Sequence, residues 1–182
     1  MEYNLPSEIV KDLNFGDEAK SRVMSGVQKL AEAVSSTLGA SGKCVIYEDG
    51  RGKPVITKDG VTVANSVVLF DAVENIGATL IKEAAGNTVR EAGDGTTTAT
   101  VLAYNLLKHA YVAAKKETVR DLKQGINSCY DKVIEYLESI KIEVDDDMLR
   151  DVASISCNND KELGGIIAEA YTAVGKDGVV LM

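Results

Sequence analysis

Three threonines follow a glycine-flanked aspartate at the predicted start of a helix, in the segment from Gly93 to Thr98. The first amide N–H groups of a helix lack intrahelical partners and lie at the positive end of its dipole, so they attract anions. A carboxylate at Asp94 would repel phosphate unless it holds Mg²⁺, which binds one or two carboxylates together with phosphate oxygens. The segment therefore predicts a magnesium–polyphosphate site. The alternative is that Asp94 only caps the helix and the threonines face solvent.

A second candidate site is the turn after a short β-prone run, where Lys58 and Asp59 precede Gly60. Lys58 could neutralise phosphate charge, and Asp59 could orient a water molecule or a cation near a transferred group. Phosphoryl transfer depends on positioning of this kind. Taken alone, the segment is also compatible with an ordinary polar turn.

Other nucleotide and metal motifs are missing from the sequence. It contains neither GxxxxGK[ST] nor GxGxxG. The acidic run at 145–147 fails as a calcium loop because Arg150 stands where the loop glycine is needed. The three cysteines are odd in number, far apart and in no CxxC pair, which argues against a disulfide framework or a zinc site and fits a reducing cytoplasm.

Composition excludes several classes of protein. The 182 residues are 45% hydrophobic, which predicts a packed core, and the net charge of -8 argues against a nucleic-acid partner. Absence of Trp and a 5% aromatic content favour packed helices over a β-sandwich. No stretch is apolar for roughly 18 residues, so we expect a chain that neither carries a signal peptide nor spans a membrane.

The predicted fold is mainly α with a small β-hairpin. Apolar residues three and four positions apart predict helices through Val23–Leu38, Val73–Ala85, Val101–Ala110 and Leu122–Ile140, with two shorter helices after the acidic break at 143–147. The runs Cys44–Tyr47 and Pro54–Thr57 predict the hairpin. Predicted N-caps are Asp17 and Asp160, and Thr118 with Asp121 resembles a capping box.

The C-terminal region gives three further expectations. We expect the last helix to bury one face, made by Leu163, Ile166, Ile167, Ala170 and Val174. A subdomain boundary is expected near residue 141. Residues 179–182 read as the opening of a buried strand without a neighbour, which indicates that the chain continues, and a frayed tail is the alternative.

Taken together, the motifs resemble those of the group I chaperonins, the GroEL-like proteins. The resemblance runs from about residue 13 to the end and rests on segments in the family's order. These segments are Thr37–Gly39, Thr57–Val61, Ala92–Thr100, Asp121–Ile126, Ile155–Asn158 and Val174–Val179.

The resemblance implies an ATP-driven machine for protein folding. It divides the chain into residues 1–141 of an equatorial ATP-binding domain and residues 142–182 of an intermediate domain, with no apical domain. Identical subunits in a double ring would be the partners, together with unfolded proteins and a co-chaperonin that bind through the apical domain. The implied cofactors are ATP, Mg²⁺ and K⁺, and the implied location is the cytoplasm.

The resemblance also implies roles for individual residues. Asp59 would assist the hydrolytic water as the catalytic residue, and Asp94 would bind Mg²⁺. The other residues of the ATP site would be Thr37, Leu38, Gly39, Ala40, Lys58, Gly95, Thr96, Thr97 and Thr98.

Two departures from the family pattern matter. The family usually has Pro and then Lys where this chain has Ala40 and Ser41, which loosens the backbone, removes a positive charge and could change nucleotide affinity or potassium dependence. The family's chains are also much longer and carry a second catalytic aspartate beyond this region. The changed pocket suggests a divergent or viral member. The alternative function is a truncated paralogue with a structural or regulatory role and no ATPase activity.

Overall fold

The computed structural model describes residues 12–39, 41–175 and 178–180. Ala40, one of the expected nucleotide-site residues, lies outside them. The elements are α1 (Gly16–Ser35), β1 (Val45–Glu48), β2 (Pro54–Thr57), α2 (Gly60–Ser66), α3 (Ala72–Ala92), α4 (Thr96–Ala113), α5 (Val119–Ile140), α6 (Asp146–Ser156) and α7 (Lys161–Val174). The expected class, mainly helical with one small antiparallel sheet, is confirmed.

The chain divides into two compact units, one up to Leu122 and one from Lys123. Helix α5 runs through the division. The expected boundary near residue 141 between an equatorial and an intermediate segment stays a prediction.

Helices α1 and α3 approach each other so closely that only glycine fits at two places. A Cβ atom on Gly26 would overlap the carbonyl oxygen of Glu74, and one on Gly77 would overlap the carbonyl oxygen of Val23. Each helix therefore presents one buried glycine to the backbone of the other. This reciprocal contact fixes how the two longest helices of the first unit pack.

Ion pairs flank this contact. Arg22 Nη2 lies 2.5 Å from Asp71 Oδ2, and Lys29 Nζ lies 2.5 Å from Glu74 Oε2. Ser25 Oγ donates a 2.8 Å hydrogen bond to Glu74 Oε1. The hydrogen bonds from Lys29 and Ser25 hold the pKa of the Glu74 carboxyl below its ordinary value. The first turn of α3 is thus tied to α1 by charge as well as by shape.

The core of the first unit gathers around α1. Its buried members are Val27, Leu30, Val34, Val63, Ala64, Ala78 and Ile81, and Val45, Val67, Leu69, Ala103 and Tyr104 pack against them. These residues come from α1, α2, α3, α4, β1 and the link after α2. Full burial of each large aliphatic side chain contributes about 1.5–3 kcal/mol. The core therefore holds together α1, α2 and α4, at whose ends the candidate nucleotide-site residues lie.

The strands form one antiparallel hairpin, with Val45 opposite Thr57 and Glu48 opposite Pro54. In its loop, Asp49 Oδ1 accepts hydrogen bonds from the backbone N–H groups of Arg51 and Lys53. Strand β2 ends at Thr57, directly before the Lys58–Asp59 turn. The turn therefore connects the hairpin directly to the start of α2.

In the second unit, α6 and α7 pack against each other. A Cβ atom on Gly164 would overlap Ser154, so these helices also meet at a glycine. The carboxylates of Asp145 and Asp160 cap α6 and α7. Asn158 and Asn159, in the turn between them, have positive φ angles of 57° and 65°, a conformation that Asn tolerates better than most residues.

Helix α5 has no buried residue in the described structure. Its exposed apolar residues are Val119, Ile126, Tyr130, Val133, Ile134, Tyr136, Leu137 and Ile140. None of the helices in the described ranges has both the length and the apolar character needed to cross a membrane.

Several expectations of local structure are confirmed. Helix α4 begins within the glycine–threonine segment, and Asp160 caps α7. Thr118 Oγ1 donates to Asp121 Oδ2 at 2.6 Å, and the Asp121 amide donates back to Thr118 Oγ1 at 3.2 Å. The second of these bonds is one half of the predicted capping box; in place of the other half, the Asp121 carboxylate accepts from the Thr118 hydroxyl and not from its backbone N–H.

Other expectations were wrong. Asp17 is not the cap of α1, because the helix begins at Gly16 with Phe15 as its N-cap residue. Helix α2 was missed, because seven residues are too few for a periodic pattern. The buried face of α7 is made by Gly164 and Ala168, while Leu163, Ile166 and Val174 are at least 45% exposed. The strand expected at residues 179–182 stays a prediction, because residues 178–180 have no assigned secondary structure and residues 181 and 182 lie outside the described ranges.

The substitution Gly26→Ala tests the close helix contact. We expect it to destabilise the fold by about 1–3 kcal/mol, because the methyl group must push the backbone of α3 away. The control is Gly86→Ala, which places a methyl group in open space within α3. It should be neutral or stabilising by up to about 1 kcal/mol, because alanine favours helix. Urea unfolding measures both, and equal effects would contradict the contact.

Replacing Glu74 by Gln tests the ion pairs. The pKa of Glu74 is lowered from 4.5 in the folded state, so its charge stabilises the fold above that pH and the benefit is lost as the pH falls through the folded-state pKa. We expect the variant to unfold at lower urea than the parent at pH 7, and the difference to disappear in acid. Exposed Glu83→Gln is the control for a lost charge. A pH-independent difference would contradict this account.

Candidate functional site

Helix α4 begins without a side-chain cap. Its N-cap residue is Gly95, with φ 88° and ψ 11°, and no side chain accepts a hydrogen bond from the first turn at that position. By contrast, aspartate side chains cap α2, α3, α6 and α7. The N–H groups of Thr96, Thr97 and Thr98 precede the first intrahelical hydrogen bond, from Ala99 N to Gly95 O. They are the donors that an anion at this helix end would meet.

The threonines of this first turn differ in exposure. Thr96 is 6% exposed, so it can offer a ligand its backbone rather than its side chain, whereas Thr97 is half-buried and Thr98 is exposed. Further along, Thr100 is fully buried and donates its hydroxyl to Thr96 O at 2.9 Å. Of the three predicted phosphate-binding threonines, only Thr97 and Thr98 therefore have accessible hydroxyl groups.

Asp94 precedes the N-cap position and does not cap α4. Its Oδ1 accepts a 2.6 Å hydrogen bond from the amide of Gly95, and the residue is exposed. The first part of the alternative, that Asp94 caps the helix, is therefore wrong, whereas Thr98 does face solvent. No group of three His, Cys, Asp or Glu side chains suited to a metal occurs among the described residues. The Asp94 carboxylate is a hard oxygen donor that fits Mg²⁺, provided that phosphate oxygens complete the coordination.

Asp59 is the N-cap residue of α2, and its carboxylate accepts three hydrogen bonds. Oδ1 accepts from the amide of Val61 at 3.2 Å, and Oδ2 accepts from both the amide and the hydroxyl of Thr62, at 2.8 and 2.5 Å. The Asp59 amide itself donates to Thr57 Oγ1 at 3.0 Å. Partial burial raises the pKa of Asp59, but the hydrogen bonds from Thr62 and Val61 outweigh it, so the pKa lies below its ordinary value.

The starts of α2 and α4 lie side by side. A Cβ atom on Gly60 would overlap Thr97 Oγ1 and would lie 3.4 Å from Val34 Cγ1. Gly60 is buried at this junction. The structure thus brings the Asp59–Gly60 turn against the first turn of α4, although the two segments are more than 30 positions apart.

The end of α1 reaches the same junction through Val34. Beyond it, Thr37 Oγ1 donates to Val34 O at 2.8 Å. The turn folds back so closely that a Cβ atom on Gly42 would overlap Thr37 O. Gly39 has a φ of 76°, which favours glycine. The segment Thr37–Gly39 therefore begins three residues after Val34, the residue of α1 that contacts the α2–α4 junction.

Two other predicted site residues are exposed. Lys58 is exposed and pairs with no acidic side chain within the described ranges, and Leu38 is 44% exposed. Lys58 adjoins Asp59 in the chain, so it lies at the entrance to α2. Its charge is available to a ligand there.

Thr62 is the site residue that the sequence reading missed. The signal was present, because an aspartate followed three positions later by a hydroxyl residue mirrors the spacing of a helix capping box. The spacing alone does not identify Thr62, because the seven residues of α2 give no periodic pattern. Thr57 was predicted only as part of a motif. Its hydroxyl oxygen accepts a hydrogen bond from the Asp59 amide.

Comparison with known proteins places the chain in a family. Residues 30–180, most of the chain, match the model of the TCP-1/cpn60 chaperonin family.

Among solved structures, the chain is similar to chaperonin gp146 from the bacteriophage EL 2 (Pseudomonas aeruginosa), crystallised in the presence of ATP-BeFx in two forms. Sequence identity is 30% for form II and 31% for form I, with a TM-score of 0.76 in both. The match covers 92% of this chain but only 30% of the phage protein. From the family match and this structural likeness, we conclude that the chain belongs to the TCP-1/cpn60 chaperonin family.

Proposed function

We propose that this chain forms the nucleotide-binding part of an ATP-driven chaperonin subunit. The observation that carries the proposal is the junction at which the uncapped start of α4 meets the Asp59–Gly60 turn. Gly60, which follows the carboxylate of lowered pKa at Asp59, contacts there Thr97, one of the three residues with uncapped N–H groups. This combination suits transfer of a phosphoryl group to water, because such reactions depend on positioning and charge stabilisation.

Each residue has a distinct task in this proposal. The amides of Thr96–Thr98 and the hydroxyl groups of Thr97 and Thr98 bind phosphate oxygens, while Lys58 offsets their charge. Asp59, ionised at neutral pH, orients the attacking water and accepts its proton. The turn Thr37–Gly39 lines the nucleotide pocket. Mg²⁺, held by Asp94 together with the phosphates, would stabilise the charge that develops on the transferred group.

The assembly is also part of the proposal. We infer that the protein works as a ring of identical subunits that assists the folding of other proteins. The family membership supports this inference. The chain spans about 30% of the length of the phage chaperonin. Binding of folding substrates, of a co-chaperonin and of a second ring is therefore proposed from the family membership alone.

The substitution Asp94→Asn tests the ATPase function. In the full-length protein we expect Mg²⁺-dependent ATP hydrolysis to fall by at least about 100-fold, the scale of loss when one group that stabilises transition-state charge is removed. Asp17→Asn, at a side chain that is 97% exposed on α1, is the matched control and should keep the parent rate. Phosphate release at saturating ATP measures both variants.

An undiminished rate in Asp94→Asn would contradict the magnesium assignment. A parent protein that forms no ring and shows no hydrolysis would favour the alternative of a structural or regulatory paralogue. Native mass spectrometry and phosphate release distinguish these outcomes.

A double-mutant cycle tests the junction between α2 and α4. Gly60→Ala should destabilise the fold by about 1–3 kcal/mol, because its methyl group collides with the Thr97 hydroxyl. Adding Thr97→Ala removes the obstacle, so the two changes should couple by about 0.5–3 kcal/mol in urea unfolding. Strict additivity would show that the two helix starts are not in contact.

A further inference from the structure

We propose that Thr62 is a positioning residue for ATP hydrolysis, whose hydroxyl fixes the Asp59 carboxylate in the orientation that the attacking water requires. This inference rests on the proposed function, in which Asp59 is the group that handles the water. Thr62 itself touches neither nucleotide nor water in this account. It acts through Asp59.

The geometry assigns the two carboxylate oxygens different tasks. Oδ2 is engaged by both the amide and the hydroxyl of Thr62, at 2.8 and 2.5 Å. Oδ1 accepts only one longer bond, 3.2 Å from the amide of Val61. An ionised carboxylate has about four acceptor sites, so Oδ1 keeps capacity for a further donor such as a water molecule. The Thr62 hydroxyl therefore determines which oxygen is free.

The other aspartate caps show that helix capping does not need this hydroxyl. Asp71 and Asp160 each accept hydrogen bonds from two backbone amides, and Asp145 accepts one, at the starts of α3, α7 and α6. The residues three positions after these caps are Glu74, Leu163 and Met148. Among the described aspartate caps, only Asp59 also accepts a hydroxyl from the residue three positions later.

A charge-assisted O–H···O⁻ bond is roughly twice as strong as a neutral one and restricts rotation of the carboxylate. It also favours the ionised form, in agreement with the lowered pKa of Asp59. A carboxylate fixed in advance loses less entropy when it engages the attacking water. Loss of the Thr62 hydroxyl should therefore slow the chemical step while nucleotide binding stays intact.

The test compares Thr62→Val, which keeps the branched shape without the hydroxyl, with Thr62→Ser, which keeps the hydroxyl. In the full-length protein we expect Thr62→Val to lower kcat by about 10-fold or more, part of the roughly 10²–10⁴-fold that a positioned general base contributes. KM for ATP and the thermal midpoint should change little. Thr62→Ser should restore most of the lost rate.

The matched control is Thr118→Val. Thr118 makes the same kind of bond, hydroxyl to aspartate at 2.6 Å and three positions apart, at the start of α5. It lies outside the proposed ATP site, so removing its hydroxyl should leave kcat unchanged. Its hydroxyl also accepts from the Asp121 amide at 3.2 Å, so its change in thermal midpoint is an upper bound on what the loss of one hydroxyl–aspartate bond costs in stability.

The possible outcomes test the proposed function and this inference separately. If the parent protein does not hydrolyse Mg-ATP, the proposed function fails and this inference fails with it. If the parent is active and Thr62→Val keeps its kcat, the inference alone is overturned. The inference is also overturned if Thr62→Val weakens nucleotide binding, loses more stability than Thr118→Val, or is not rescued by serine, because Thr62 would then only maintain the helix.

Discussion

The backbone contact between α1 and α3 is the constraint on which the first unit depends. At Gly26 and Gly77 the absence of side chains lets each helix touch the main chain of the other. The contact leaves little freedom for the helices to slide, because close-packed interiors resist even a single added methyl group. The aliphatic residues around it then fill the space toward α2 and α4.

This packing explains how distant sequence motifs meet. Val34, near the end of α1, belongs to the core and also touches the position of Gly60. Gly60 in turn adjoins Thr97 on α4. A shift of α1 against α3 would therefore move the Thr37 turn, the Asp59 turn and the start of α4 relative to one another. The geometry of the candidate site thus depends on helix packing as much as on its own residues.

The sequence predicted those features that depend on local chemistry. The hairpin, the start of α4 and the caps at Thr118 and Asp160 follow from the conformational preferences of a few adjacent residues, and they were found. The exposed faces of α5 and α7 were not found, because an apolar stripe predicts burial but does not specify the surface that covers it. Helix α2 and its Thr62–Asp59 bond were missed for a related reason, since tertiary packing and not periodicity holds this short helix in place.

The uncapped start of α4 lowers the stability of this helix at the candidate site. A side-chain cap usually contributes about 0.5–2 kcal/mol, and four other helices in the described ranges have one from aspartate. At α4 the residue is Gly95 in a left-handed conformation, and the neighbouring carboxylate of Asp94 bonds to the Gly95 amide instead of reaching the first turn. An aspartate at the cap position would satisfy those amides and repel phosphate. The missing cap therefore leaves α4 less stable by itself but open to an anion, which would supply the missing acceptors when it binds.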